Sequence, residues 1–206
     1  HCAVISPSGS QMYASDLGLD KVLGYALDAA SAQLTPLDQA YVRTIGGGGP
    51  RHFAYHPQGA YVYTNNELAN SVNVYAWDEA AGVLRERQVI STLPEGYAEE
   101  SYTADLKITP DGRFLYCTNR GHDSIAIYEI GEDGCLELVE IASSLGNFAQ
   151  NLAISGDGRW LVCANMDGMG LGGANVMVFA IDGGSGKLGP VGEPLGIVNP
   201  SCIMIG

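Results

Sequence analysis

The feature that limits this chain most is a turn that returns four times. Ser6-Pro7-Ser8-Gly9, His56-Pro57-Gln58-Gly59, Thr109-Pro110-Asp111-Gly112 and Ser155-Gly156-Asp157-Gly158 place their last glycines 50, 53 and 46 residues apart. A unit of that size cannot bury its apolar face alone, so a period of this kind means stacked copies of one supersecondary motif. Each turn follows a short apolar run: Ala3-Val4-Ile5, Phe53-Ala54-Tyr55, Leu106-Lys107-Ile108 and Leu152-Ala153-Ile154. A second run comes after it, and a third ends in an aromatic at Tyr25, Tyr75, Tyr128 or Phe179. Polar turns such as Asp28-Ala29-Ala30 and Asp182-Gly183-Gly184 close the units. Short stretches of period-2 alternation read as strands, and no segment sustains a 3.6-residue period.

A weaker fourth run completes each unit, as in Tyr41-Val42-Arg43-Thr44-Ile45 or Leu136-Glu137-Leu138-Val139-Glu140. Four strands per unit of about 50 residues predict an all-β fold, the blades of a β-propeller. The blades are expected at roughly 1–48, 49–98, 99–146 and 147–198. Pro200-Ser201-Cys202-Ile203-Met204-Ile205 reads like the blade opening Pro50-Arg51-His52-Phe53-Ala54-Tyr55 and predicts a closing inner strand over 200–205. Four blades and one strand make an open arc, so residues 1–206 are expected to be one partial propeller domain. Such an arc should expose a blade face and strand edges.

Composition narrows the function. Hydrophobic residues at 46% and charged residues at 16% exclude a disordered chain. A formal net charge of -13 argues against nucleic acid, and no apolar run reaches membrane length. A small anion stays compatible where a few of the ten Lys and Arg converge. The five cysteines, Cys2, Cys117, Cys135, Cys163 and Cys202, have no CxxC or metal-ligand spacing and read as buried thiols. No secretory leader is visible, and the chain begins at His1 without a methionine.

Internal symmetry separates scaffold from site. Eight residues before and eight after each turn glycine should lie at one end of the inner hairpin, on one face near the ring axis. Eight before stand His1, Arg51, Ala104 and Gln150, followed by Cys2, His52, Asp105 and Asn151. Eight after stand Leu17, Glu67, Arg120 and Met166. Scaffold positions repeat, as Tyr13, Tyr63 and Tyr116 do, whereas these rim positions diversify into a base, an acid and two guanidiniums. The bland reading is a solvated rim with Arg51 and Glu67 as a simple ion pair. His56 lies in the opposite turn and reads as structural, and His122 is a further rim candidate. Gly46 to Gly49 read as a flexible connection, or as backbone amides open to an anion.

Gly49-Pro50-Arg51-His52 with His56-Pro57, Asn66-Glu67-Leu68, Ser101-Tyr102-Thr103-Ala104-Asp105 and Asn119-Arg120-Gly121-His122-Asp123-Ser124-Ile125 carry a resemblance. At these segments the chain resembles the lactonase propeller family that holds bacterial 6-phosphogluconolactonase and fungal carboxymuconate-lactonizing enzyme. The resemblance implies a seven-bladed ring, of which these would be the later four blades. It implies hydrolysis of a sugar lactone, foremost 6-phosphogluconolactone, by a catalytic set His1, Arg51, Glu67 and Arg120. His52, Asp105, His122 and Asn66 would contact the substrate. The implied partner is a small anionic lactone, with no cofactor, metal, nucleic acid or membrane, in the cytoplasm. Carboxymuconate cyclase chemistry and a non-catalytic binding propeller are the competing readings. Two departures stand out. Ala149-Gln150-Asn151 replaces a common Pro-Arg-Asn and removes one cation, and Met166 to Gly173 is a Gly/Met-rich insertion. Glu67 and His1 both suit a general base, whereas the arginines stay protonated and suit an oxyanion or an anionic substituent.

Overall fold

The computed structural model describes residues 1–168, 170 and 172–205. Sixteen strands run through them, and none of the described residues is helical. The first sheet holds β1 (Cys2–Ile5), β2 (Gln11–Asp16), β3 (Lys21–Asp28) and β4 (Gln33–Arg43). The second holds β5 (Pro50–Tyr55), β6 (Tyr61–Asn66), β7 (Ser71–Asp78) and β8 (Val83–Ser91). The third holds β9 (Tyr102–Ile108), β10 (Phe114–Arg120), β11 (Ser124–Ile130) and β12 (Leu136–Ser143). The fourth holds β13 (Ala149–Ile154), β14 (Trp160–Asn165), β15 (Asn175–Ile181) and β16 (Leu188–Pro190). In every sheet the strands follow chain order and pair antiparallel.

The repeated turns are the connections between the first and second strand of each sheet. In each, the final glycine N–H donates to the carbonyl three residues back: Gly9 to Ser6 at 2.8 Å, Gly59 to His56 at 2.9 Å, Gly112 to Thr109 at 2.8 Å and Gly158 to Ser155 at 2.8 Å. The glycines take φ of 76, 77, 79 and 71°, a region that costs a β-carbon. This backbone requirement is why the motif survives in all four units while the residues around it vary.

The sheets stack face to face, and the inner strands β1, β5, β9 and β13 lie side by side. Instead of one central core there are three, each between neighbouring sheets. Tyr13, Phe53, Val62 and Trp77 fill the first, Tyr63, Val74, Leu106 and Tyr128 the second, and Phe114, Tyr116, Leu161 and Phe179 the third. Two hydrogen-bonding devices repeat across these interfaces. The Tyr63 hydroxyl donates to Gly134 O at 3.0 Å, and the Tyr116 hydroxyl donates to Gly186 O at 2.7 Å one sheet later. The Gln39 side chain bonds Leu84 N and O at 2.6 and 3.1 Å, and Gln88 treats Leu136 N and O alike at 2.7 and 2.9 Å. Each of these four side chains therefore finds its partner on the next sheet.

Residues 200–205, expected as a closing inner strand, form no strand here. A strand needs a ladder for its N–H and C=O groups, and this segment has none among the described residues. Ile203 N instead donates to the Asn151 side chain at 2.7 Å. Val198 and Met204 are 89% and 90% exposed, so the tail buries little of its apolar surface. The buried-thiol reading holds for Cys117 and Cys163 but not for the exposed Cys202, and all five thiols are unpaired. Of the insertion Met166 to Gly173, Met169 and Leu171 lie outside the described residues.

Two turns of the fourth sheet are testable. Gly186 has φ of 72°, and a β-carbon there would lie 2.4 Å from the Phe114 ring, a rigid wall of the third core. Gly156 has open space around it. In the full-length protein Gly186→Ala should lose about 2 kcal/mol or more of stability, since strain and overpacking add. Gly156→Ala should shift it by under about 0.5 kcal/mol. Urea unfolding of both variants measures the difference.

Candidate active site

Three of the candidate residues, Arg51, His52 and Asp105, stand on β-bulges. Pro50 pairs with Asn66 and Phe53 with Thr64, which leaves Arg51 and His52 opposite the single residue Asn65. Leu106 pairs with Cys117 and Thr103 with Asn119, which leaves Ala104 and Asp105 opposite Thr118. In the fourth sheet Gln150 is the extra residue. A bulge bends the strand and re-aims its side chains. The freed amides are caught by the opposing side chains: His52 N donates to Asn65 Oδ1 at 2.8 Å and Asp105 N to Thr118 Oγ1 at 2.9 Å.

Three of the four predicted catalytic residues meet. Glu67 directly follows β6, where its N–H donates to Gly49 O at 2.8 Å. Its carboxylate lies between two guanidiniums, with Arg51 Nε 3.0 Å from Oε2 and Arg120 Nη2 2.5 Å from Oε1. The Arg51 contact is an ion pair whose Nε–H is not aligned for a hydrogen bond. Both arginines are buried. Burial, and then the Arg120 charge, draw the Arg51 guanidinium below its ordinary value, while Glu67 and Asp105 oppose that shift. Arg51 remains a cation. Arg120 also lies 5.9 Å from the Tyr102 ring and 5.2 Å from the Phe148 ring, within cation–π range. His1 stands apart from this triad. It is exposed, and its ring lies 5.4 Å from the His52 ring.

The sequence profile described as "Lactonase, 7-bladed beta-propeller" matches residues 1–205. The chain belongs to this lactonase family. It is 32% identical over 210 residues to the 6-phosphogluconolactonase of Bacillus subtilis, covering 98% of this chain and 56% of that protein. The Erwinia tasmaniensis 6-phosphogluconolactonase is 34% identical over 191 residues, covering 93% and 56%. The periplasmic gluconolactonase structure from Pseudomonas aeruginosa superimposes with a TM-score of 0.89 at 34% identity, covering 98% of this chain and 55% of that one. The chain therefore spans little more than half the length of these relatives, and its four sheets are blades of a larger propeller.

Two of the expected substrate contacts, Asp105 and Asn66, are buried. Asp105 has 0% exposure, and its oxygens are taken by His52 Nδ1 at 2.6 Å, Lys107 Nζ at 2.7 Å, Asn151 Nδ2 at 2.6 Å, Leu106 N at 2.8 Å and Leu152 N at 2.9 Å. Asn66 is also fully buried, donating to Ser71 Oγ at 2.9 Å and Asn73 Oδ1 at 2.6 Å. Neither side chain is exposed in this arrangement. His52 is half-buried beside Arg51, and His122 binds Ser124 Oγ at 2.7 Å and stands edge-on to Tyr97, away from Glu67. His56, read as structural, bonds Gly112 O at 2.9 Å in the opposite turn.

The glycine run is neither loose nor open. Gly47 N and Gly49 N donate to the Asp20 carboxylate at 2.8 and 3.0 Å, so an internal anion fills that nest. The Gly49 amide, then that of Gly47, holds the Asp20 carboxyl below its usual range. A cleft of about 330 Å³ is walled by Tyr97, Tyr102 and Phe148 and lipped by Glu99 and Glu100, and two of those rings, Tyr102 and Phe148, also flank Arg120. Sequence symmetry missed Phe148, because its placement depends on a strained backbone. It takes φ of 63°, its N–H donates to Asp123 Oδ1 at 2.7 Å, and a β-carbon on Gly168 would lie 2.5 Å from its ring.

Asp105 generates a pH prediction. Burial raises its pKa, but the His52 hydrogen bond and the Lys107 charge outweigh burial, and the carboxyl lies below the usual 3.8. A depressed folded pKa adds stability above the unfolded value, and that stability is lost as pH falls through the folded value. The stability gap between the full-length protein and its Asp105→Asn variant should thus be full near pH 7 and shrink below about pH 4. Urea midpoints across that range measure it.

Proposed function

We propose that the full propeller carrying this chain hydrolyses a sugar lactone, with 6-phosphoglucono-1,5-lactone as the substrate that its relatives' names favour. The observation that carries this reading is the Glu67 carboxylate held between the buried guanidiniums of Arg51 and Arg120. Ester hydrolysis has two needs, a base for water and a positive site for the oxyanion. Glu67 takes a proton from water as the water oxygen bonds to the lactone carbonyl carbon. The negative charge passes to the carbonyl oxygen, where Arg51 and Arg120 stabilise it. The intermediate collapses with cleavage of the ring C–O bond, and the departing ring oxygen receives the proton from Glu67. The product is an open-chain hydroxy acid. The cleft beside Arg120 takes the polyol part of the ring against Tyr102 and Phe148. Glu67 is favoured over His1 as the base because it stands beside the guanidiniums that would receive the oxyanion, whereas His1 stands apart from them.

A second reading, an unphosphorylated aldonolactone, has its own support. The Pseudomonas aeruginosa neighbour is named a gluconolactonase, and Gln150 stands at the position that Arg51 holds in its own sheet. Five unpaired thiols suit a reducing compartment, and we place the protein in the cytoplasm on that ground.

The test is turnover of 6-phosphogluconolactone and gluconolactone by the full-length protein. Arg120→Ala should lower kcat about 100- to 1000-fold, as removal of an oxyanion donor does. Glu67→Gln should lower it about 100-fold or more through loss of the base. Unchanged rates in both variants refute the site. The ratio of rates on the two lactones decides the substrate.

A further inference from the structure

The buried Asp105 and its partner His52 stand next to the proposed oxyanion site, and the hydrogen-bond geometry dictates how the imidazole is protonated. Arg51 Nη1 lies 3.0 Å from His52 Nε2 and donates its other hydrogen to Ala104 O at 2.5 Å. A guanidinium nitrogen donates and never accepts. His52 Nε2 must therefore present its lone pair, and the ring hydrogen must sit on Nδ1. There it meets Asp105 Oδ1 at 2.6 Å, an acceptor whose carboxyl is already ionised in the fold. A proton on both ring nitrogens would point an N–H at Arg51. Backbone bonds fix the ring's position at both ends, through His52 N to Asn65 Oδ1 and Thr64 Oγ1 to His52 O at 2.7 Å. The groups facing the ring are Arg51, Asp105 and His1, with Lys107 behind Asp105.

We infer that Asp105 and His52 are positioning residues for Arg51: Asp105 fixes the neutral Nδ1–H form of His52, whose Nε2 lone pair aims the guanidinium at Glu67 and at the reacting carbonyl. This rests on the lactonase reading for its kinetic consequence but not for its structural one. The relay leaves His52 no acid–base step. Its contribution is orientation, which matters because a guanidinium that stabilises a transition state must be held before the charge develops. Asp105 reaches the same end from three sheets at once, since its ligands come from β5, its own strand β9 and β13.

The experiment compares His52→Gln and His52→Leu in the full-length protein, beside nitrogen-15 spectroscopy of the wild-type imidazoles. Glutamine supplies one amide N–H toward Asp105 and one oxygen toward Arg51, the same polarity as the inferred imidazole, and cannot act as a base near neutrality. Leucine supplies neither. Under this inference His52→Gln keeps kcat within about 3-fold, while His52→Leu lowers kcat and kcat/KM together, about 10- to 100-fold, as for an interaction used in the transition state. The wild-type spectrum shows His52 as the neutral Nδ1–H form at the pH of the assay. Equal loss in both variants would mean that His52 transfers protons, and unchanged kcat in His52→Leu would mean that it does not position Arg51. Either result overturns the proposal, as does an Nε2–H or doubly protonated ring. If the wild-type propeller turns over no lactone, the proposed function fails on its own, and the spectrum still decides the protonation of His52.

Discussion

A carboxylate with no exposure to water, Asp105, is the constraint from which the arrangement of the second, third and fourth sheets around the candidate site follows. An isolated charge in such a place would be intolerable, since the desolvation cost is several kcal/mol after relaxation. Asp105 avoids it by collecting two backbone amides, an asparagine amide, an ammonium and an imidazole. Those partners belong to three inner strands, so no two of the sheets can slip without exposing or orphaning the charge. Hydrophobic contact between the sheets is non-directional and would tolerate small slips. The polar cluster does not, and its rigidity reaches Arg51 through one imidazole.

The rest of the molecule divides the work between repeated and unrepeated positions. Repeated positions hold sheets to sheets: turn glycines with left-handed backbone, tyrosine hydroxyls on glycine carbonyls, and glutamine amides on outer-strand backbone. They recur because every interface between blades poses the same packing problem. Unrepeated positions stand where inner strands bulge. There the ladder is broken, the side chain is redirected, and each sheet contributes a different group: Arg51 with His52, Ala104 with Asp105, Gln150.

That division explains what could be read from the chain before any coordinates. Glycine turns and period-2 runs carry local information, so the strand order and the four-sheet repeat were legible. Counting eight residues either side of each turn glycine reached Arg51, Glu67 and Arg120, because hairpin geometry converts chain distance into height along the axis. The same counting could not see direction. Asp105 lies at the right height but points into the interior, since a bulge has no compositional signature. The glycine run of 46 to 49 reads as a flexible connection or as amides open to an anion, and the residue that fills it, Asp20, is far away in sequence. Phe148 escaped because its left-handed backbone is stabilised by Asp123 of the preceding sheet, a contact that no periodicity encodes.

Electrostatics ties the scaffold to the chemistry. A chain of net charge -13 repels anions at long range, so an anionic lactone gains nothing from the overall field. Attraction must be local, and two guanidiniums sharing one carboxylate provide it, with a net positive centre in a site where low dielectric keeps it from being screened. Glu67 is as necessary to that centre as the cations. Without it, Arg51 and Arg120 would repel each other at a buried location and be driven apart or toward water, and the geometry that suits an oxyanion would be lost before a substrate arrived. Under the proposed reaction, proton transfer to Glu67 moves the negative charge from its carboxylate to the carbonyl oxygen, and the two guanidiniums that held the carboxylate are free to hold the oxyanion. The ground-state carbonyl brings only a dipole. The arrangement thus favours the charge-developed state over the bound lactone, which is the condition for raising kcat and not merely tightening binding.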